Sequence, residues 1–247
     1  MMDHLHYTLL QWLKNILSWQ LFSALLQVFG VLWLCVEISS YFSDKLSKSI
    51  KELWWLFILL GIIYAVWKCK PRNRVICKLA DRDAHIAVVV GNAFNFPGVL
   101  VVGSNTTFDT EVSRQLISSS SIQGQFTEKY YEDSKQLDIE LQENLNTLPY
   151  EELDGVRVGK KKRYDIGTVV KMMPRGKTAY FVAIAHMNEH GNAYGEFEYV
   201  KEALAKLWFF IGERGEKGQV VMPVIGTGFM RLRVTREEVI REIVKHG

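Results

Sequence analysis

Three loops rich in small and polar residues carry the chemistry that this sequence offers. Gly226-Thr227-Gly228 follows the apolar, β-prone run Val220 to Ile225, and Phe229-Met230-Arg231 comes directly after it. Glycines at the carboxyl end of a buried strand let several backbone N–H groups point at one anion, so this loop suits a phosphate-bearing ligand or is a plain tight turn. Gly103-Ser104-Asn105-Thr106-Thr107-Phe108-Asp109 follows a second apolar run, Val99 to Val102, in the same way. Ser118 to Ser121 lead into Ile122-Gln123-Gly124-Gln125-Phe126, a third small-residue loop that enters a helix. In an open parallel sheet, ligands bind beyond the carboxyl ends of strands, where such loops converge. His186 ends the apolar run Ala179 to His186 and reads either as a hydrogen-bonded structural histidine or as a catalytic base.

The elements that must position these loops alternate between two periods. Val75 to Leu79, His85 to Val90, Val99 to Val102, Val156 to Tyr164, Thr168 to Met173, Ala179 to His186 and Val220 to Ile225 read as strands. Leu137, Leu141, Leu145 and Leu148 mark an amphipathic helix, and Gly195 to Ile211 a long one. Thr235-Arg236-Glu237-Glu238 reads as an N-cap opening a last helix with apolar Val239, Ile240, Ile243 and Val244. This alternation predicts an α/β domain with a mixed sheet over residues 71–247.

The amino-terminal part is of another kind. Trp19 to Ile38 is an apolar run long enough for a bilayer core of about 30 Å. A second run, Leu53 to Trp67, is slightly short and must lean on Ile50, Lys51 and Lys68. The pair predicts a two-helix transmembrane hairpin over 19–70, with spans at about 19–38 and 50–67, after a possible interfacial amphipathic helix within 1–18. Lys68, Lys70, Arg72 and Arg74 outnumber the basic residues of the connecting loop, which favours cytoplasmic termini and a cytoplasmic α/β domain. In the first span, Ser23, Gln27, Gly30, Leu34 and Glu37 share one face. That stripe either faces another helix or a water-filled path, or reduces to a snorkelling Glu37 and one interhelical hydrogen bond from Gln27.

Composition excludes several classes. A net charge of +3 over 247 residues is too small to imply nucleic acid, and Lys160-Lys161-Lys162-Arg163 reads as a solvated loop. Cys35, Cys69 and Cys77 have neither the spacing of a zinc site nor that of a disulfide framework, so no metal is expected.

Taken together, the loops of residues 75 to 247 resemble a macro domain, and with the preceding hairpin they resemble the membrane-anchored macro-like effectors of type II Thoeris antiviral defence. The resemblance implies a three-layer α/β/α fold and a site for an ADP-ribose-derived nucleotide. It places Asn92, Ala93 and Phe94 where the family contacts adenine, with an amide at Asn92 in place of the usual acid. Gly103, Ser104, Asn105, Phe108 and Asp109 correspond to the first ligand loop, and Ser121, Ile122, Gln123, Gly124 and Gln125 to the second. Gly167 and Thr168 belong to a further signature; Ile225, Gly226, Thr227, Gly228, Phe229 and Arg231 belong to the diphosphate loop. Asn105 and Asp109 offer partners to ribose hydroxyls or cap their own turn, and Phe229 stacks on a ribose or base or fills the core. The second loop lacks the glycine run of macro domains that hydrolyse ADP-ribose linkages. A ligand reader without cofactor is therefore expected rather than an enzyme.

For such an effector the resemblance implies a signal, histidine linked to ADP-ribose, made by a Toll/interleukin-receptor (TIR) domain enzyme. It further implies homo-oligomerisation in the lipid of the inner membrane, membrane disruption and cell death. The alternatives are a membrane-tethered ADP-ribosyl hydrolase, with Asp109 or His186 as base, and a passive scaffold with a vestigial pocket.

Overall fold

The computed structural model describes residues 19–42, 54–68, 70, 73–79, 84–112, 116–225 and 234–246. The chain divides into two compact units, Met1–Gly91 and Asn92–Gly247. The interfacial helix expected within 1–18 lies outside the described residues, as do positions 50–53 of the second run.

In the first unit, helix α1 (Trp19–Phe42) and helix α2 (Trp54–Lys68) pack against each other. Leu21–Phe42 is long and apolar enough to cross a membrane, whereas the apolar part of α2, Ile58–Lys68, is shorter. The half-buried positions of α1 include Leu21, Leu25, Val28, Leu32 and Val36, a helical repeat that marks one seam. On α2 the buried residues among those described are Gly61 and Ala65, small residues four apart that let helix backbones approach closely. A Cβ on Gly61 would lie 3.4 Å from Val28 Cγ1. Strands β1 (Arg74–Lys78) and β2 (His85–Val89) form an antiparallel pair that is a sheet by itself, its residues mostly exposed.

In the second unit the sheet is mixed. Strand β3 (Val99–Asn105) lies at the centre and is parallel to β7 (Ala179–Met187) on one side and to β9 (Val220–Val221) on the other. Strand β6 (Val169–Met172) runs antiparallel along the far side of β7, and β8 (Ala193–Tyr194) pairs with the end of β7. A separate short pair, β4 (Glu151–Glu152) and β5 (Lys162–Arg163), is antiparallel. β3 and β7 are buried on both faces, which is why their sequences are continuously apolar rather than alternating.

Helices cover both faces. Leu100 and Val102 of β3 pack with α3 (Ile122–Tyr130) and α4 (Ser134–Leu145), through Phe126, Leu137, Leu141 and Leu145. Val99 and Val101 pack on α5 (Phe197–Arg214), through Val200, Ala203, Leu204 and Leu207, an i, i+3, i+4, i+7 set. Helix α6 (Arg236–His246) adds Val239 and Ile243, and its start is a capping box: Glu238 N donates to Thr235 Oγ1 at 3.2 Å, and Thr235 N to Glu238 Oε2 at 2.8 Å. The result is the three-layer α/β/α arrangement.

Two expected strands are shorter than the sequence suggests. Val220 to Ile225 joins the sheet only at Val220–Val221, because Pro223 has no N–H for a ladder. Val156 to Tyr164 pairs only at Lys162–Arg163, and Val156 is almost fully exposed.

Candidate functional site

The parallel neighbours β3 and β9 send their following loops from the same edge of the sheet. Between them, a Cβ on Gly103 would stand 2.6 Å from Ile184 Cδ1, so the missing side chain admits that isoleucine, and Ile225 Cγ2 lies in ordinary contact range at 3.9 Å. The ladder shifts register between Ser104 and Asn105, where Ile184 is the extra residue of β7. Buried Ile225 is thus seated beside the first loop. Gly226, Thr227, Gly228, Phe229 and Arg231 lie outside the described residues.

The first loop is held by a closed network. Asp109, 1% exposed, accepts from Asn105 Nδ2 (3.1 Å) and Thr107 Oγ1 (2.5 Å) at Oδ2, and from Lys160 N (2.8 Å) at Oδ1. Asn105 Oδ1 in turn accepts from Asp109 N and Thr107 Oγ1, both at 3.1 Å. Asn105 and Asp109 cap their own turn through these bonds. Phe108 adopts φ +46 and lies wholly in the core, edge-on to Tyr164 at 5.7 Å. Its carbonyl accepts from Lys160 Nζ at 2.5 Å, and the same ammonium pairs with Asp138.

Lys160 was invisible as a site residue in the sequence, where it opens a basic run. That run is not simply solvated: Arg163 pairs with Glu151 and Lys162 lies 4.5 Å from the Tyr150 ring centroid. The available signal is Gly159, whose φ of +93 suits glycine and whose Cβ would fall 2.6 Å from Asp109 Oδ1. Residues 157–160 form a strap over the first loop, fixed further by Val158 N donating to Glu189 O and Arg157 Nη2 to Met187 O.

The second loop meets the first. Gln123, buried, donates Nε2 to Asp109 O at 2.7 Å. Ser121 caps α3 by accepting from Gly124 N at 3.0 Å and donates to Ser118 O at 2.6 Å, while Gln125 Nε2 donates to Ser120 O. A Cβ on Gly124 would collide with the backbone of Ser118 and Ser119, so α3 starts flush against the serine turn. Ile122 packs on the core beneath.

The other predicted residues are more dispersed. Asn92 accepts from Phe94 N at 2.9 Å and so caps the single turn Ala93–Asn95. Ala93 and Phe94 rest on the α3/α4 core, with Lys129 Nζ 5.3 Å from the Phe94 ring. Gly167 and Thr168 stand at the entrance to β6, with β7 between them and β3; Gly167 N donates to Ala183 O and Thr168 Oγ1 to Asp165 O, each at 2.8 Å. In α1, Gln27, Gly30 and Glu37 are exposed and Ser23 half-buried, and Gln27 Oε1 accepts from Lys68 Nζ at 2.6 Å.

Two polar groups define what the arrangement can do. Ser104 is 4% exposed at the carboxyl end of β3, and its hydroxyl has no protein partner among the described residues. A buried hydroxyl without a partner is costly and marks a place for an outside donor or acceptor. His186 Nδ1 is 3.0 Å from Thr106 Oγ1, with the Tyr194 and Tyr199 rings beside it. Burial lowers its pKa below the ordinary imidazole range, the Arg163 charge adds to this, and Glu151 opposes it. Ser104, Thr106, Thr107 and Gln123 are thus gathered, buried, around one strand end, with the Ser104 hydroxyl unpartnered among the described residues, while the buried Asp109 beside them accepts three hydrogen bonds. Among the described residues no His, Cys, Asp or Glu cluster could hold a metal ion.

The sequence matches the family described as Thoeris protein ThsA, macro domain, over residues 86–246. It is also similar to the Thoeris protein ThsA of Bacillus amyloliquefaciens, at 25% identity over 154 residues, 60% of this chain and 50% of that protein. The chain thus spans about half the length of that curated relative.

Proposed function

The chain belongs to the Thoeris ThsA macro-domain family, and on that premise we propose that it is a membrane effector of bacterial antiviral defence whose macro domain binds an ADP-ribose-derived signal. The observation that carries the reading is the adjacency of β3 and β9, which puts the first loop and Ile225, the last residue before the glycine loop, at one sheet edge. Backbone donors of such paired loops suit a diphosphate, and the unpartnered Ser104 hydroxyl offers a further contact.

The signal is histidine linked to ADP-ribose, supplied by a TIR-domain enzyme. The chain reads this ligand and does not cleave it, a reading supported by Asp109, whose carboxylate is buried and already holds the first loop through three accepted hydrogen bonds. The hairpin crosses the inner membrane twice, with the N-terminus and the macro domain in the cytoplasm. Ligand binding favours an assembled state whose hairpins disrupt that membrane and kill the cell; this requires the ligand to prefer the assembly over the separate chain.

The test is calorimetric titration of the full chain in lipid nanodiscs with ADP-ribose and with histidine-linked ADP-ribose. Tight binding of the conjugate, with no product formed, is expected. Turnover of either compound, or binding of neither by folded protein, overturns the proposal.

A further inference from the structure

Helix α1 has two faces, and its partner helix covers only one. The seam of Leu21, Leu25, Val28, Leu32 and Val36 is half-buried, and Val28 meets Gly61 of α2. At 100° per residue, the mean direction of Ser23, Gln27, Gly30, Leu34 and Glu37 lies about 180° around the helix from that seam. Gln27, Gly30, Leu34 and Glu37 are accordingly exposed. A Cβ on Gly30 would meet nothing within 4 Å, and no described residue pairs with the Glu37 carboxylate. The polar face therefore points away from its own hairpin.

A second observation concerns Lys68. Gly61 stands level with Val28, and Lys68 lies seven residues on, about 10 Å further along α2. Its ammonium nevertheless bonds Gln27, next to Val28, at 2.6 Å. The side chain runs back along the hairpin, as the tilt of helical side chains toward their own N-terminus permits. An ammonium and an amide are thereby joined alongside the stripe rather than beyond the end of the helix.

Hydrocarbon cannot satisfy a carboxylate, an amide and an ammonium, and two helices cannot enclose water between them. What matches this face is the same face of further copies, set around a common axis with water between them; at Gly30 no side chain narrows that axis. We infer that the Ser23, Gln27, Gly30 and Glu37 face of α1, with Lys68, is where copies of this chain meet, and that it lines a water-filled ion path through the assembly. The inference rests on the membrane-effector reading and adds to it which face assembles and what that face conducts.

The test uses the full chain with Cys35, Cys69 and Cys77 replaced by alanine, reconstituted in phosphatidylcholine and phosphatidylglycerol vesicles. Gly30→Cys and Val31→Cys are each oxidised with and without histidine-linked ADP-ribose; Val31 is 61% exposed on a different face. Potassium efflux is followed in parallel for the parent, Gly30→Leu and Gly30→Ala. Expected are an intermolecular crosslink at position 30 and not at 31, and loss of efflux in Gly30→Leu with retention in Gly30→Ala. A crosslink at 31 alone, a crosslink at neither, or full efflux from Gly30→Leu overturns the inference while leaving membrane attachment standing. A chain that alkaline carbonate strips from the vesicles overturns the membrane reading and this inference with it.

Discussion

Replacing Asp109 by alanine distinguishes an acid that holds a loop from one that performs chemistry. The substitution removes the acceptors of three donors: Asn105 Nδ2, Thr107 Oγ1 and Lys160 N. Thr107 keeps a second acceptor, Asn105 Oδ1, so two donors are orphaned at a site that is 1% exposed. Hydrogen bonds to a charged group contribute about 1.5–3 kcal/mol each, so the loss is about 4 kcal/mol. For a domain of this size that corresponds to a fall in Tm of roughly 10 °C. Asp109→Asn keeps the shape; its amide oxygen can serve Asn105 and Thr107, but its NH2 then faces the Lys160 N–H. About 2 kcal/mol, or roughly 5 °C, is expected for it. Circular dichroism melts of the full chain in nanodiscs measure both. If both variants melt within about 1 °C of the parent, the network is not structural and the argument against a catalytic Asp109 fails.

Three further outcomes are expected. Because burial lowers the His186 pKa from its ordinary 6.5, the unfolded chain takes up the proton first; stability at His186 is therefore full above 6.5 and falls as pH drops below it toward the folded value. His186→Gln should flatten that part of the pH dependence of Tm, and an unchanged profile would refute it. Thr235→Ala removes the capping box and should cost about 1 kcal/mol, read as faster amide exchange at Glu238 and Val239; unchanged exchange refutes the cap. Gly61→Leu must push a side chain into Val28 and should raise the distance between spin labels on α1 and α2, whereas an unchanged distance would mean that the small residues do not set the seam.

What the sequence discloses about this fold is mostly local. The spacing of Leu137, Leu141 and Leu145 predicts a buried helical face, and the three are fully buried. Thr235 and Glu238 stand three apart and make the cap their types suggest. The unbroken apolar runs of β3 and β7 mark central strands because helices cover both of their faces. What the sequence does not disclose depends on remote partners. Asp109 has the same composition around it whatever its carboxylate faces; its Oδ1 is held by Lys160 N, 51 residues away by number, and its carbonyl by Gln123, 14 away. Lys160 sits in a basic run, and no local pattern separates it from its solvated neighbour Lys161. The polar stripe of α1 is legible by periodicity, but the side on which α2 packs depends on Gly61 and Ala65, which belong to another segment.

The strand order also has a consequence for how the protein is made. β3 is synthesised about 120 residues before its neighbour β9, and pairing over so great a separation closes late. A ribosome that has released the helical hairpin and β3 but not yet Val220 carries a chain whose central strand has one open edge and whose candidate site lacks the strand that leads to the glycine loop. On the function proposed above, the hairpin would reach the membrane before the chain can sense anything. On the same proposal, a chain truncated ahead of Val220 would be inserted and mute, so translation of β9 and the loop after it acts as an arming step.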